Sequence, residues 1–279
     1  MTDRRQIVDD LRSKVESGQS LLGAGAGIGL SAKCARDAGA DLIVVYNSGR
    51  YRMAGRGSTA GYLPYGDANG IVADMAEEII PMAGSTPVIA GVCGTDPFRR
   101  MPLYLEQLGR LGYAGVQNFP TVGLIDGLFR QSLEETGMGW NLEVQMIADA
   151  VAADLLTAPY VFNEHEAAEM AAAGADLVVA HMGVTVKGSI GAHTALSLDD
   201  AVDRCSRVAA AAHGARSEVL VLCHGGPIAE PDEARYVIER AEGVVGFFGA
   251  SSTERLPTEL AMTERMREFK AIELAGQAS

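Results

Sequence analysis

The chain has 279 residues, is 48% hydrophobic and 21% charged, and carries a formal net charge of −13. This is a globular composition, and its negative balance argues against unspecific binding to nucleic acid or to an anionic membrane. A small anionic substrate stays open, because it responds to local arginines and amides more than to total charge.

The opening segment MTDRRQIVDDLRSKVESG is charged and lacks the apolar core of a secretory signal, and no apolar run approaches bilayer-spanning length. Cys34, Cys93, Cys205 and Cys223 show neither a C-x-x-C pair nor zinc spacing. A cytoplasmic protein with reduced thiols is expected.

Ile7, Leu11 and Val15 recur at helical spacing, and Gly18 is placed to end that helix. Eight short apolar runs come next, each suited to a buried parallel strand. They lie at 20–25, 41–47, 87–93, 113–119, 155–162, 175–183, 218–226 and 243–251. Helical stretches separate them at 30–39, 68–84, 101–112, 163–174, 197–214 and 231–243, with a longer helical region over 123–153 and a closing helix near 257–274. Eight strand–helix units with no linker between them predict one domain over 1–279. Its fold is a (β/α)8 TIM barrel of the α/β class, with an extra N-terminal helix and a helical extension in the 120–153 region.

The segment LLGAGAGIGLSAK, Leu21 to Lys33, contains the loose dinucleotide pattern G-x-G-x-x-A from Gly27 to Ala32. That fingerprint needs an acidic residue at the end of the next strand, which here ends in Tyr46-Asn47. In a barrel the segment is instead the first loop of the catalytic face, with Gly25 and Gly27 offering backbone N–H groups to an oxyanion.

Polar residues at the C-terminal ends of barrel strands are site candidates, because those ends form the mouth. Strand two delivers Asn47, strand three Cys93 and Asp96, strand four Gln117 and Asn118, and strand five Tyr160. Strand six delivers His181, strand seven His224 with Gly225 and Gly226, and strand eight Ala250 and Ser251. Two of the five histidines therefore sit at strand ends, which suits acid/base catalysis by His181 and His224; a satisfied core histidine is the plain alternative for each. Asp96 either caps the helix after Pro97 or serves the histidines, or a Mg²⁺ ion, as a ligand. Cys93 suits the lining of a substrate site as a small apolar side chain rather than a nucleophile.

Gly25, Gly27, Gly225, Gly226, Ala250 and Ser251 are placed to bind an anion, with Arg50 or Arg52 as its clamp. Both arginines belong to a glycine-rich segment over 47–67 that reads as a lid. The GMGW break at 137–140 suggests a helix pair reaching from the barrel edge towards a partner subunit, so a homo-oligomer is expected. A third loop, VTVKGSIGAHTALS, makes Lys187 and His193 available to a ligand.

The motifs GAGAGIGLSAK, GVCGTDPF, QNFPTVGLIDG, EETGMGW, AHMGVTVKGSIGA and GFFGASSTERLP together resemble the phosphoenolpyruvate hydrolase-like family of TIM barrels, over residues 20–275. The resemblance implies kinship with the phosphoenolpyruvate mutase and isocitrate lyase superfamily, where a strand-three aspartate holds Mg²⁺. Here the segment PVIAGVCGTD offers Asp96 alone, and that superfamily's lysine–cysteine–glycine–histidine lid motif is absent. The expected function is a hydrolase or lyase of C–O or C–C bonds in a small anionic carbonyl or enol compound, similar to phosphoenolpyruvate or a keto acid. The rival expectation is a metabolite-sensing or protein-binding barrel without turnover.

Overall fold

All eight apolar runs form parallel strands in the computed structural model, which describes residues 3–187 and 196–274. The strands are β1 (Leu21–Gly25), β2 (Leu42–Val45), β3 (Val88–Val92), β4 (Gly115–Asn118), β5 (Leu156–Thr157), β6 (Tyr160–Val161), β7 (Leu177–His181), β8 (Leu220–His224) and β9 (Val244–Gly249). Their order in the sheet is β5-β4-β3-β2-β1-β9-β8-β7-β6.

The predicted fifth strand is split into β5 and β6 at Pro159, which has no N–H to give to a ladder. Its first half pairs with β4 and its second half with β7. Ala158 N–H donates to Val116 O at 3.1 Å, and Val179 N–H donates to Pro159 O at 2.8 Å. Every barrel strand thus has two neighbours, and the sheet closes as an eight-stranded parallel barrel.

The helices are α1 (Arg4–Glu16), α2 (Gly29–Asp37), α3 (Asn47–Met53), α4 (Ala68–Ala83), α5 (Met101–Leu111), α6 (Gly127–Glu135), α7 (Trp140–Ala152), α8 (Glu164–Ala172), α9 (Leu198–Ala215), α10 (Pro231–Arg240) and α11 (Arg255–Lys270). An outer core, with Ile43, Val116, Val178 and Val221 from the strands, packs against helix residues such as Ile79, Leu105, Ile147 and Val208. A separate inner core fills the barrel with Leu42, Val44, Ile89, Leu177 and Leu222, and it takes in Ile7, Val8 and Leu11 of α1. The extra N-terminal helix therefore closes the barrel at the end opposite the mouth. Arg4 fastens it there through two 2.9 Å hydrogen bonds to Asp176, which also accepts Thr157 N–H at 3.0 Å.

One segment differs from expectation, and a second forms the helix pair that the GMGW break suggests. The lid segment is not an open loop: it forms α3 and a 3₁₀ turn over Ser58–Tyr62, tied together by Asn47 Nδ2 donating to Gly61 O at 2.9 Å. The long helical region breaks into a 3₁₀ turn at Val122–Leu124, then α6 and α7. Gly137 takes φ 76° between the two helices, a left-handed conformation that suits glycine. Helix α6 buries no residue, and α11 carries Leu260, Met262, Met266 and Phe269 largely exposed. No helix among the described residues is long and apolar enough to cross a membrane.

Candidate active site

Parallel register sets His181 directly beside His224 at the ends of β7 and β8. Their ring centroids are 4.6 Å apart, and the Tyr160 ring lies 4.8 Å from each. Together with Tyr46, Arg52 and Tyr62 they line a cavity of ≈ 50 Å³. The lid supplies part of its roof through Ser48, Ser58 and Thr59, and Ala250 and Ser251 close the β9 side.

The hydrogen-bond partners assign opposite tautomers to the two histidines. Gly183 N–H donates to His181 Nδ1 at 3.0 Å, so neutral His181 carries its proton on Nε2. That Nε2–H has no partner among the described residues. His224 Nδ1 lies 2.5 Å from Phe248 O, an acceptor only, so its proton is on Nδ1 and Nε2 is the free base. Tyr160 Oη lies 3.3 Å from this Nε2, and 2.6 Å from Tyr46 Oη. Gln117 Nε2 donates to Ala158 O, which turns its Oε1 towards the Tyr46 hydroxyl at 2.5 Å.

Burial drives both imidazoles to stay neutral. It takes His181 well below its ordinary value, with the neighbouring His224 adding to the effect. It takes His224 down to about 4 against the pull of the Phe248 carbonyl. Burial likewise raises the Tyr46 and Tyr160 hydroxyls. At neutral pH the cavity thus holds one N–H donor and one nitrogen acceptor, side by side and uncharged.

The expected anion cradle is partly filled by the chain itself. Gly27 N–H donates to Glu254 Oε1 at 2.6 Å, so the glycine loop does receive an oxyanion, but it is a buried carboxylate from just after β9. Arg52 grips the other oxygen of Glu254 through Nε at 3.0 Å and Nη2 at 2.8 Å. Its Nη1 has no partner among the described residues, and Arg52 lines the cavity. Arg50, two residues away and so on the opposite side of α3, is exposed and lines neither this cavity nor the larger groove beside the mouth.

Gly25 packs against Ala250 and Arg52, where a side chain would meet the Ala250 Cα at 2.9 Å; its place is one of close approach. Gly226 N–H is spent on Gly183 O at 2.8 Å. Gly225 and Gly226 adopt φ 75° and 57°, and a Cβ on either would strike a carbonyl at 2.3 Å. These two glycines let the β8 turn lie against the β7 turn, and the Gly226 amide is not free for an anion. Asn47 spends its side chain on Gly61 O and on Ser48 N–H. Asn118 faces away from the barrel axis, where its amide joins Glu143, Tyr160 O and Tyr160 N–H. Both asparagines are braces outside the cavity.

Asp96 and Cys93 stand apart from the histidines, on that groove of ≈ 740 Å³. Asp96 accepts Phe98 N–H at 2.9 Å and Asn69 Nδ2 at 2.9 Å, and the oxygen that faces Asn69 is also 3.0 Å from Arg99 Nε. Burial pushes the Cys93 thiol up, away from the reactive thiolate. The surroundings of Asp96 do not fit a Mg²⁺ ion: both oxygens are engaged, a guanidinium is already in place, and no group of three His, Cys, Asp or Glu side chains among the described residues is placed to hold a metal. Lys187 is held by Glu233 at 2.6 Å, and His193 lies outside the described residues.

Strand-end reasoning does not reach Glu254 and Tyr62, nor Glu143, a buried brace beside Asn118; Tyr46 does stand at a strand end, beside the expected Asn47. Glu143 is fully buried and accepts Asn118 Nδ2, Thr121 Oγ1 and Val122 N–H, each at 2.7 Å. Burial nonetheless pushes its carboxyl up to about 7. A carboxyl with a raised folded pKa favours the native state while protonated. Stability is therefore lost as pH rises from about 4.5 to about 7, by on the order of 3 kcal/mol. The buried histidines act in the opposite sense, since the unfolded chain takes up their protons below about 6.5. In thermal melts at pH 4.5 to 8, the difference between wild type and Glu143→Gln is expected to change up to pH 7 and to be flat above it. A constant difference throughout would refute the assignment.

The sequence profile of the phosphoenolpyruvate hydrolase-like family matches residues 6–272. The chain is 56% identical to the ToMV resistance protein Tm-1(GCR237) of Solanum lycopersicum over 271 residues, which are 97% of this chain and 36% of that protein. It is also 56% identical to the ToMV susceptible protein tm-1(GCR26) of the same plant, over 96% of this chain and 36% of that one. The chain thus spans little more than a third of these relatives. Among solved structures, oxaloacetate acetylhydrolase aligns with TM-score 0.60 at 16% identity, covering 96% of this chain and 88% of that one. Phosphonopyruvate hydrolase in complex with oxalate and Mg²⁺ aligns with TM-score 0.57 at 18% identity, covering 98% and 91%. At such identities the structures share the fold with this chain. The match over nearly its whole length places the chain in the phosphoenolpyruvate hydrolase-like family.

Proposed function

We propose that the chain is a cytoplasmic enzyme, a hydrolase or lyase that cleaves a C–O or C–C bond in a small organic acid carrying a carbonyl or enol group. The observation that carries this reading is the pair of opposite tautomers that the hydrogen-bond partners give the two histidines in one cavity. His224 Nε2 accepts a proton from the substrate or from an attacking water, and His181 Nε2–H donates to the oxygen on which negative charge develops. Arg52 Nη1 pairs with the substrate carboxylate while its other edge stays locked to Glu254. Tyr160 positions His224, and Ala250 and Ser251 complete the wall.

Family membership supports the class of chemistry, as do fold neighbours that include an oxaloacetate acetylhydrolase and a phosphonopyruvate hydrolase. Mg²⁺ accompanies oxalate in the second of those neighbours. The residues around Asp96 give the ion no ready place here, so no step is assigned to it.

The test is incubation of the protein with phosphoenolpyruvate, phosphonopyruvate and a panel of 2-oxo and 3-oxo acids, with and without Mg²⁺, with products followed by NMR. Turnover of at least one carbonyl or enol acid is expected. Tight binding of such an acid with no product would transfer the assignment to the sensing barrel.

A further inference from the structure

The cavity between the histidines is small. At ≈ 50 Å³ it has room for on the order of three or four water molecules, which is the size of a carboxylate with an adjoining carbonyl and little more. The much larger groove beside it, ≈ 740 Å³, falls within the usual range for organic ligands. The two spaces share one wall, the side chain of Tyr62, which lines both. Tyr62 ends the 3₁₀ turn of the lid. It is held by edge-to-face contact with Phe119 at 5.3 Å and by Thr121 N–H donating to its hydroxyl at 3.4 Å. The exposed stretch Leu63–Asp67 comes directly after it.

The groove is lined chiefly by apolar side chains, among them Leu63, Phe98, Ile125, Phe129 and Met138. Phe98 is 96% exposed and Phe129 65% exposed. A soluble protein does not normally leave such a set bare beside its catalytic mouth without a use for it. Where polar groups do line it, the Asp96 carboxylate is already bound to Asn69 and Phe98 N–H and beside Arg99. The groove therefore offers burial of apolar area and little polar recognition.

We infer that the substrate is a carbonyl acid with an apolar tail: its acid head occupies the histidine cavity and its aliphatic or arylalkyl chain runs past Tyr62 into the groove. This rests on the acid/base reading of the cavity and narrows it. The chemistry at the head is set by Arg52, His181 and His224, and the choice among acids is set by the groove. A three-carbon acid fills the head space and leaves the groove to water, whereas each added methylene removes apolar surface from solvent.

The test is calorimetric titration of the intact protein with straight-chain 2-oxo acids from three to ten carbons. Affinity is expected to rise about two- to fourfold per methylene beyond the head group. Phe129→Asp and Ile125→Asp, both at positions that are not fully buried, are expected to flatten that rise while circular dichroism and melting remain those of the wild type. A flat series in the wild type overturns the inference, as does a rise that both variants retain. The outcomes separate from those of the acid/base reading. Turnover of short acids with a flat series leaves catalysis standing and removes the tail site, whereas a rising series without product keeps the tail site and removes catalysis.

Discussion

His224→Ala is expected to lower kcat by about 10²- to 10⁴-fold on whichever carbonyl or enol acid the protein turns over. The reason lies in the proton inventory of the cavity. Phe248 O fixes the imidazole proton on Nδ1, so Nε2 is a base at every pH above about 4, whereas the lone-pair nitrogen of the other neutral imidazole lining the cavity, His181 Nδ1, is taken by Gly183 N–H. Alanine removes that base and leaves the Phe248 carbonyl without its partner, at a cost of about 1–3 kcal/mol. His224→Gln is the companion variant, because its amide can still donate to Phe248 O while lacking a basic nitrogen.

His181→Ala is expected to fall in the same range for a different cause: it removes the donor to the developing oxyanion. If the two residues act on one transition state, the double variant loses little beyond the worse single one. Wild-type turnover in both single variants, with circular dichroism unchanged, would sink the assignment.

Breaking the pair between Arg52 and Glu254 is expected to destabilise the fold by about 3–5 kcal/mol, or on the order of 10 °C in Tm. Both side chains are almost wholly excluded from water, 2% and 1% exposed. Glu254→Ala leaves a guanidinium buried in the barrel mouth and strips Gly27 N–H of the carboxylate that accepts it. Arg52→Met leaves a buried carboxylate that still accepts the Gly27 amide, so it is expected to be the milder of the two. The double variant Arg52→Met with Glu254→Leu removes both charges and is expected to recover a large part of the loss, since well-packed apolar replacements of buried pairs are often tolerated. The measurement is a double-mutant cycle by thermal or urea unfolding. Additive losses would show that the two side chains do not support each other.

The fold was legible because its signals are local. Runs such as DLIVVYN and ADLVVAHMG mark β2 and β7, and Gly39, Gly112 and Gly174, all with positive φ, end the helices before three of the strands. The fifth run reads as one strand from its apolar content, yet the proline in TAPY is the local signal of its break. His181 and His224 were found by the same kind of local rule, that barrel strands deliver their last side chains to the mouth.

The features that stayed hidden depend on contacts across the barrel. Glu254 meets Gly27 and Arg52 across 227 and 202 residues. A glycine-rich loop looks the same in sequence whether its amides await a ligand or already hold a carboxylate from the chain. Asn118 ends β4 as expected but points outward, because side chains alternate across a strand, and Asp96 lies beyond the wall because β3 ends at Val92 and the loop after it carries Asp96 away from the strand axis. The lid was visible as an unusual composition, but its folding into α3 was not. Its apolar and polar residues over 47–53 do not repeat with a helical period.

Helix α1 has a further consequence. With Ile7, Val8 and Leu11 seated in the inner core and Arg4 locked to Asp176, nothing enters or leaves the barrel from below. On the acid/base reading, reactant and product then share the mouth of the barrel, so a second molecule cannot queue behind the first. Such a vessel empties before it refills: product is expected to compete with reactant for the free protein.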